Sequence, residues 1–187
     1  MKPEETLQLT GGAGKDKRRD LDYYPTPPDC TKALMNFLNI PAGRIIWEPA
    51  CGEFYMSKVI ESYGHTVIST DLSNGEDFFE LSKECYAIIT NPPFESAEGF
   101  IRRSIEMPGV RLVAMLLKSQ YWHSKKRATL FNKYPPTHVL PLTWRPDFKF
   151  HLRKPGDKAA APTMEVCWTV WNKASSSQTT YQPLLKP

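Results

Sequence analysis

A four-residue segment, Asn91-Pro92-Pro93-Phe94, carries the groups needed to hold and activate a conjugated amino group. The lone pair of such an amine is delocalised into its ring, so two acceptors aimed at the amine hydrogens would draw the nitrogen toward tetrahedral geometry. The Asn91 side-chain oxygen and the Pro92 carbonyl are such acceptors, and the prolines stiffen the loop that holds them. Phe94 offers a flat face for an extruded base. An ordinary turn is the alternative, because Asn-Pro and Pro-Pro pairs mark turns in general.

Two further segments suit a nucleoside-like ligand. Glu48-Pro49-Ala50-Cys51-Gly52 lies between a predicted strand and a predicted helix. There, a small residue lets the backbone approach a ligand, and a helix N-terminus favours an anionic group. Asp71 follows Glu48 by 23 residues, and an acidic side chain at such a spacing commonly receives the two hydroxyls of a ribose. A structural glycine and a capping aspartate are the alternatives.

The elements that position these segments alternate between strands and helices. This pattern predicts an α/β fold with a mostly parallel sheet and a terminal antiparallel strand pair. In such sheets ligands bind beyond the carboxyl ends of the strands, and all three segments directly follow predicted strands. Helices are predicted from Pro28 onward and over 53–63, 95–107 and 125–133, and strands over 44–47, 67–70, 86–90, 110–117, 139–142 and 164–171.

Taken together, the motifs resemble those of the N6-adenine group of amino-methyltransferases, which includes small phage and prophage DNA adenine methyltransferases. Residues 91–94 match their N/D/S-P-P-Y/F tetrapeptide, and residues 48–52 are similar to their D/E-P-x-C-G-x-G cofactor loop. Tyr24-Pro25-Thr26-Pro27 resembles the segment before their first helix, and Asp77-Phe78-Phe79 resembles the segment that meets the adenine of the cofactor. The resemblance covers about residues 23–120 with motifs and implies a Rossmann-like class I methyltransferase fold.

The resemblance also implies S-adenosyl-L-methionine as the cofactor. It places the Thr26 hydroxyl at the cofactor carboxylate, Asp77 at the adenine amino group and Phe78 over the adenine ring. The catalytic residues that it implies are Asn91, Pro92, Pro93 and Phe94. The cofactor-binding residues that it implies are Tyr24, Thr26, Glu48, Pro49, Ala50, Cys51, Gly52, Asp71, Asp77 and Phe78.

Three departures from the family pattern carry expectations of their own. Phe54 replaces the second glycine of the cofactor loop, which would shift the start of the helix or lower the affinity for the cofactor. Only five residues separate Asp71 from Asp77, so the usual helix and much of an edge strand are expected to be missing. No separate target-recognition domain is evident, so sequence reading would come from a short loop or be weak.

The region from Lys118 to Lys158 is strongly basic, with ten Lys or Arg residues against two Asp, whereas the whole chain has a net charge of only +4. A one-sided basic region suggests a polyanionic partner, although a charge run taken alone is more often a solvated surface. Phe148 or Trp144 would form the second face of a base pocket, with core packing as the alternative. The predicted nucleic-acid-binding residues are Lys118, Tyr121, Trp122, Arg145, Phe148, Arg153 and Lys154.

The chain of 187 residues predicts one methyltransferase domain over residues 22–172, between a flexible N-terminal arm at 1–21 and a flexible C-terminal tail at 173–187. Four scattered cysteines without a C-x-x-C pair argue against a zinc ribbon or a disulfide framework and suit a reducing cytoplasm. The resemblance implies that this is the cytoplasm of a bacterial host or a phage-infected cell. No metal cluster, signal peptide or membrane span is expected.

The function expected from these motifs is methylation of an exocyclic amino group, above all adenine N6 in DNA, with short or relaxed sequence specificity. The rivals are RNA adenine N6, guanine N2 and a protein glutamine amide, since the same tetrapeptide serves all of these conjugated nitrogens. A nucleic-acid-binding relative that lost the chemistry is a different class of alternative, motivated by Phe54 and the trimmed edge. A partner subunit or a homo-oligomer is a further possibility for recognition.

Overall fold

The computed structural model describes residues 24–154, 156–157, 162–175 and 178–187. The predicted N-terminal arm, residues 1–21, lies outside this part of the chain. None of the helices within the described ranges has both the length and the apolar character that a membrane span requires.

In the described ranges, four α-helices accompany seven strands, and their bounds agree with the predicted ones to within two residues where a prediction was made. The helices are α1 Pro28–Leu38, α2 Tyr55–Ser62, α3 Ala97–Glu106 and α4 Lys125–Lys133. The strands are β1 Ile45–Glu48, β2 Thr66–Ser69, β3 Ala87–Thr90, β4 Leu112–Lys118, β5 His138–Pro141, β6 Val166–Asn172 and β7 Thr180–Tyr181. Single 3-10 turns cover Leu72–Asn74, Ser119–Trp122 and Phe150–Leu152.

The strands form one sheet in the order β2-β1-β3-β4-β6-β5-β7. Strands β1 to β4 run parallel to one another, and β6 runs antiparallel to both β4 and β5. The predicted parallel sheet with an antiparallel pair is therefore confirmed. Because β1, β2 and β3 are parallel, their carboxyl ends lie together on one side of the sheet, and the three motifs begin there.

The sheet is covered on both faces, which explains the continuous apolar runs of its central strands. In β4, the even-numbered residues from Leu112 to Leu116 pack into the core shared with α1 and α2. The odd-numbered residues from Val113 to Leu117 pack into the core shared with α3. This two-sided burial holds the strand ends that carry the motifs in fixed positions.

The lateral edge of the sheet at β2 is shorter than the family pattern implies. Among the described residues β2 is the outermost strand on its side, and the chain passes from it to β3 through a single 3-10 turn, Leu72–Asn74, and irregular backbone. The expectation that a helix and an edge strand are missing after Asp71 is thus confirmed.

The opposite edge differs from the sequence prediction of a flexible tail from residue 173 onward. Thr180–Tyr181 forms β7, which pairs in parallel with β5, and Leu184 bridges to Leu142. Leu184 is only 6% exposed and joins the main core. The pairing with Thr180–Tyr181 satisfies backbone groups of β5 that would otherwise be left unpaired at a sheet edge.

The buried Leu184 provides a test of this docking. Leu184→Ala is expected to lower the free energy of unfolding by about 2 kcal/mol or more, because it removes buried methyl groups and leaves a cavity. The adjacent Leu185, which is 77% exposed, supplies the matched control Leu185→Ala, expected to change it by less than about 0.5 kcal/mol. Urea denaturation measures both, and equal effects would contradict the docking of the tail.

Candidate active site

A cleft opens where β1, β2 and β3 end, and it gathers most of the predicted cofactor-binding residues. Its volume is about 270 Å³. Each strand sends one polar residue to it: Glu48 ends β1, Asp71 follows β2 and Asn91 follows β3. The lining residues are Tyr24, Pro25, Thr26, Glu48, Ala50, Cys51, Gly52, Tyr55, Met56, Asp71, Asn91 and Pro93.

Glu48 is the most deeply buried charged group of the cleft, with only 2% of its surface exposed. The Ser57 hydroxyl donates a hydrogen bond to its carboxyl group, and the Ser69 hydroxyl lies 2.6 Å from that of Ser57. Burial raises the pKa of Glu48 to about 8, with smaller contributions from the charges of Asp71 and Glu61, whereas the Ser57 hydrogen bond opposes the shift. The carboxyl group therefore holds a proton over much of the neutral range until a cation reaches it.

The cofactor loop is tied to β2 by two hydrogen bonds. The Gly52 amide donates to a carboxylate oxygen of Asp71 at 2.9 Å, and the Cys51 amide donates to the Thr70 carbonyl at 3.1 Å. Gly52 has a φ of +49°, which favours glycine at this position. Burial and the neighbouring carboxylates raise the pKa of the Cys51 thiol to about 12, so this cysteine is not poised as a thiolate nucleophile.

Asp71 caps a turn and lines the cleft. One carboxylate oxygen accepts the Gly52 amide, and the other accepts the backbone amide and the hydroxyl of Ser73 at 2.9 and 2.6 Å. It is thus the cap of the turn Leu72–Asn74, and it also lines the cleft. Both hydroxyls of a ribose would have to share this carboxylate with the loop that it holds.

Phe54, the departure in the cofactor loop, does not fill the cleft. It adopts the left-handed conformation, with φ +65° and ψ +19°, immediately before α2, and its ring is 42% exposed. The backbone thus keeps the geometry that glycine favours while the side chain points to the surface outside the lining of the cleft. The expected shift in the start of the helix is not needed to accommodate the ring.

Phe54→Gly is expected to raise the free energy of unfolding by roughly 0.5–1 kcal/mol, because the left-handed conformation costs a Cβ-bearing residue more than it costs glycine. Phe54→Ala is the matched control, since it removes the ring but keeps the strained Cβ, and it should bring no gain. Thermal or urea unfolding measures both variants. A glycine variant less stable than the alanine variant would show that strain at this position is negligible.

The amide of Asn91 is oriented by the first segment of the domain. Its Nδ2 donates to the backbone carbonyl of Tyr24 at 3.0 Å. Because a carbonyl can only accept, this contact assigns the amide nitrogen to that side and leaves Oδ1 on the other branch as the acceptor. Pro92 is buried, so the backbone that follows Asn91 is packed inside the protein. One of the two acceptors required by the tetrapeptide hypothesis is thus set by a specific contact.

Phe94 lies in an aromatic cluster at the mouth of the cleft. Its ring centroid is 5.3 Å from that of Tyr24, which in turn is 5.8 Å from that of Phe148. The Lys118 ammonium lies 3.5 Å from the centre of the Phe94 ring. Phe148 is therefore in the cluster but meets Phe94 through Tyr24, so a base held between the two phenylalanines would require Tyr24 to move.

Three predicted cofactor residues lie outside the cleft. Phe78 is buried in the core, stacked on Phe100 at 4.5 Å and packed on Trp47 at 5.1 Å. Asp77 accepts the backbone amide of Phe79 and caps a turn. Pro49 is buried behind the loop. Asp77 and Phe78, which the resemblance placed around an adenine ring, do not line the cleft: Phe78 packs in the core and Asp77 caps a turn.

The predicted nucleic-acid residues divide into two groups. Lys118 and Tyr121 line one cavity with Arg127, while Trp122 packs on Phe131, with ring centroids 4.0 Å apart. Two of the other cations are paired with carboxylates: Arg145 pairs with Glu165 and Arg153 with Asp147, each at 2.6 Å. Lys154 is exposed, and its backbone amide donates to a carboxylate oxygen of Asp157 at 2.9 Å. The region from Lys118 to Lys158 is therefore less cationic than its composition predicts, because Glu165 lies outside that region in the sequence but beside Arg145 in space.

Four residues of the site were missed by sequence reasoning. Ser57 and Ser69 form the hydroxyl chain behind Glu48, and Tyr55 and Met56 line the cleft. Tyr55 also contacts Phe150, with ring centroids 4.8 Å apart, which fastens the basic loop to the start of α2. The positions of Tyr55 and Met56 in the first turn of a helix after the cofactor loop were a usable signal, whereas no local pattern marked the two serines.

No protein-family model and no curated protein matches the chain, but solved structures do, at low identity. A modification subunit from Vibrio vulnificus YJ016, named provisionally for a type I restriction enzyme, matches with a TM-score of 0.57 and 13% identity over 98% of this chain and 51% of its own. A Listeria monocytogenes protein, named provisionally as a class I S-adenosylmethionine-dependent methyltransferase, has a TM-score of 0.54 and 12% identity over 96% and 68%. A Pyrococcus horikoshii protein, named provisionally as an RNA methyltransferase, has a TM-score of 0.52 and 14% identity over 80% of this chain and 86% of its own.

These likenesses define the class of the fold, which is that of the Rossmann-like class I methyltransferases. The predicted fold class is confirmed by the strand order and by these structures together. The chain spans about half the length of the Vibrio subunit. Within the described residues, His, Cys, Asp and Glu side chains form no group of three or more that could hold a metal ion.

Proposed function

We propose that the chain is an S-adenosylmethionine-dependent methyltransferase that acts on an exocyclic amino group, most of all N6 of adenine in DNA. The observation that carries the proposal is the Asn91 amide, whose nitrogen is held by the Tyr24 carbonyl beside a cleft lined by Glu48, Gly52 and Asp71. Short or relaxed sequence specificity is part of the proposal, as is action in the cytoplasm of a bacterium or a phage-infected cell.

The residues of the cleft fit S-adenosylmethionine, which is the cofactor expected of this fold. When bound, it supplies a methyl group made electrophilic by a sulfonium sulfur. Glu48 presents a buried carboxyl group whose partner is a neutral hydroxyl, and this group suits the cofactor's ammonium. Asp71 suits a ribose, and the Thr26 hydroxyl suits a carboxylate. Asp77 and Phe78 do not line the cleft, so they are not assigned to the adenine of the cofactor. We place the adenine beside the carboxyl end of β2, next to Asp71.

The chain's own contribution to the reaction is positioning. Asn91 Oδ1 and the Pro92 carbonyl would accept the two hydrogens of the target amine, which draws its nitrogen toward tetrahedral geometry and frees the lone pair for attack. Phe94 would hold the ring to which the amine is attached. No side chain is required as a base, because the amino proton can leave to water after the methyl group has been transferred.

DNA is favoured over RNA by the resemblance to small phage and prophage DNA adenine methyltransferases and by the name of the Vibrio structure, a restriction-enzyme modification subunit. RNA is the second candidate because the Pyrococcus structure is named as an RNA methyltransferase. A catalytically inactive relative that only binds nucleic acid is disfavoured by the open cleft and by the outward position of Phe54. A calorimetric titration with S-adenosylmethionine tests that alternative, since a protein that does not bind the cofactor would give no heat of binding.

The decisive experiment incubates the protein with methyl-labelled S-adenosylmethionine and either plasmid DNA or total RNA, and then identifies the modified nucleoside by mass spectrometry. The expected product is N6-methyladenine in the DNA. Label in RNA alone would overturn the choice of DNA, and label in neither, with the cofactor bound, would overturn the proposed activity. Size-exclusion chromatography with and without DNA tests whether a second copy takes part.

A further inference from the structure

A second cavity, of about 520 Å³, adjoins the catalytic tetrapeptide and has no residue in common with the cofactor cleft. The consecutive residues Pro93 and Phe94 line one cavity each, so the tetrapeptide forms the wall between them. The lining residues of the second cavity are Phe94, Lys118, Gln120, Tyr121, His123 and Arg127.

Two cations in this cavity are each placed on an aromatic ring. The Lys118 ammonium lies 3.5 Å from the centre of the Phe94 ring, and the Arg127 guanidinium lies 3.9 Å from the centre of the Tyr121 ring. Arg127 also donates from Nη1 to the Tyr121 carbonyl at 3.1 Å, which fixes the direction of its planar group. The Arg127 guanidinium, which is weakly hydrated and held in a fixed direction, is therefore already oriented for an anion.

The cavity lining includes no Asp or Glu. This distinguishes Arg127 from Arg145 and Arg153, which are paired with Glu165 and Asp147. An anion that approached either of those arginines would have to compete with a carboxylate of the protein itself. Glu98, which acts electrostatically on Tyr121, is engaged by Arg102 at 2.9 Å and by Lys126 at 3.8 Å.

From this arrangement we infer that the cavity binds a phosphodiester of the substrate strand, within one nucleotide of the target base, through Arg127 and Lys118. The inference rests on the proposed function, since it takes Phe94 to be the platform for that base. A base stacked on Phe94 carries its own sugar and phosphate, so a strand phosphate must lie close to Phe94, which also lines the second cavity. Lys118 must leave the face of Phe94 when the base arrives, and its side chain, which also lines the adjacent cavity, can then contact a phosphate there.

The test compares two substitutions that remove one positive charge from the same helix, α4. Arg127→Gln removes a cation that lines the cavity, and Lys126→Gln removes one that does not. Binding of a fluorescein-labelled duplex DNA of mixed sequence is measured by anisotropy over a range of salt concentrations. Arg127→Gln is expected to reduce the salt slope by about 0.9 and to weaken binding roughly five- to tenfold near 0.1 M salt, because one phosphate contact is lost. Lys126→Gln should leave the slope nearly unchanged.

Two further variants keep the test independent of folding. Arg127→Lys retains the charge and should restore the slope, and Lys118→Met should lower it by a similar amount to Arg127→Gln. Equal effects of Arg127→Gln and Lys126→Gln, or no effect of either, would overturn the phosphate site. These measurements need no turnover, so they can succeed or fail independently of the methylation assay.

A last arm locates the phosphate relative to the target. Once the methylated adenine has been mapped, the phosphates beside it are replaced one at a time by neutral methylphosphonates. One replacement should weaken binding to the unaltered protein but not to Arg127→Gln, whose contact is already gone. If every replacement acts equally on both proteins, Arg127 contacts some distant phosphate and the inference is wrong.

Discussion

Asn91→Ala is expected to abolish most methyl transfer, with a loss of about a hundred- to a thousandfold in kcat, while leaving the affinity for S-adenosylmethionine nearly unchanged. The loss should be large because the substitution removes an acceptor that acts on the reacting nitrogen itself, in a site where a single preorganised hydrogen bond is typically worth about a hundred- to a thousandfold. Single-turnover kinetics with labelled cofactor measures the first quantity, and calorimetry measures the second. Asn132→Ala, at an exposed position on α4, is the matched control.

A second variant separates the two contacts of the Asn91 side chain. Alanine removes both the Oδ1 acceptor and the hydrogen bond from Nδ2 to the Tyr24 carbonyl. Asn91→Asp keeps an acceptor but cannot donate to that carbonyl when ionised, so it should retain more activity than alanine and less than asparagine. Full activity in Asn91→Ala would refute the catalytic assignment, and equal losses in both variants would show that the tether to Tyr24 is what matters.

Cofactor binding is expected to depend on pH through Glu48, and Glu48→Gln is expected to remove that dependence. In the cofactor-free protein the pKa of Glu48 is raised to about 8 by burial. An ammonium placed beside it would favour the carboxylate and lower that pKa, so binding below pH 8 should release close to one proton. The affinity for S-adenosylmethionine should therefore rise by up to about tenfold per pH unit toward pH 8. It should fall again once the free cofactor loses its own ammonium proton.

Calorimetry in two buffers of different ionisation enthalpy counts the released proton directly. Glu48→Gln should bind the cofactor more weakly at pH 8, without proton release and without a rise in affinity between pH 6 and 8. Glu53→Gln is the control, since Glu53 is exposed on the same loop. A pH-dependent affinity that persists in Glu48→Gln would place the titrating group elsewhere.

The same shift has a consequence for stability, and its sign is opposite to that of a salt-bridged carboxylate. Because the pKa of Glu48 is raised in the folded protein, the unfolded chain loses its proton first as the pH increases from about 4.5 to about 8. The cofactor-free protein should therefore lose stability across that window, and the loss should be smaller in Glu48→Gln. Melting temperatures across the window provide an independent readout that does not involve the cofactor.

Local sequence patterns were sufficient for the elements and for the parts of the cleft that follow strands directly. Strand and helix bounds follow from apolar periodicity, and Glu48, Asp71 and Asn91 reach one cleft because parallel strands end at one edge. The same reasoning did not bring Asp77 and Phe78 into the lining of the cleft. Phe78 packs against Trp47 and Phe100 instead, a contact between distant parts of the chain that no local pattern marks.

What the amino-acid sequence determined by itself was therefore the order of the elements, the edge at which the site lies and the groups that Asn91 and Glu48 bring to it. Only the tertiary structure decided how those groups behave. The tail from residue 178 completes the sheet, and Glu165 and Asp147 pair with two of the predicted nucleic-acid-binding arginines. Burial and the Ser57 hydroxyl set the protonation of Glu48. The reason is physical: charge and burial depend on which residues, distant in the chain, come within a few ångströms, and no periodicity in the chain records that.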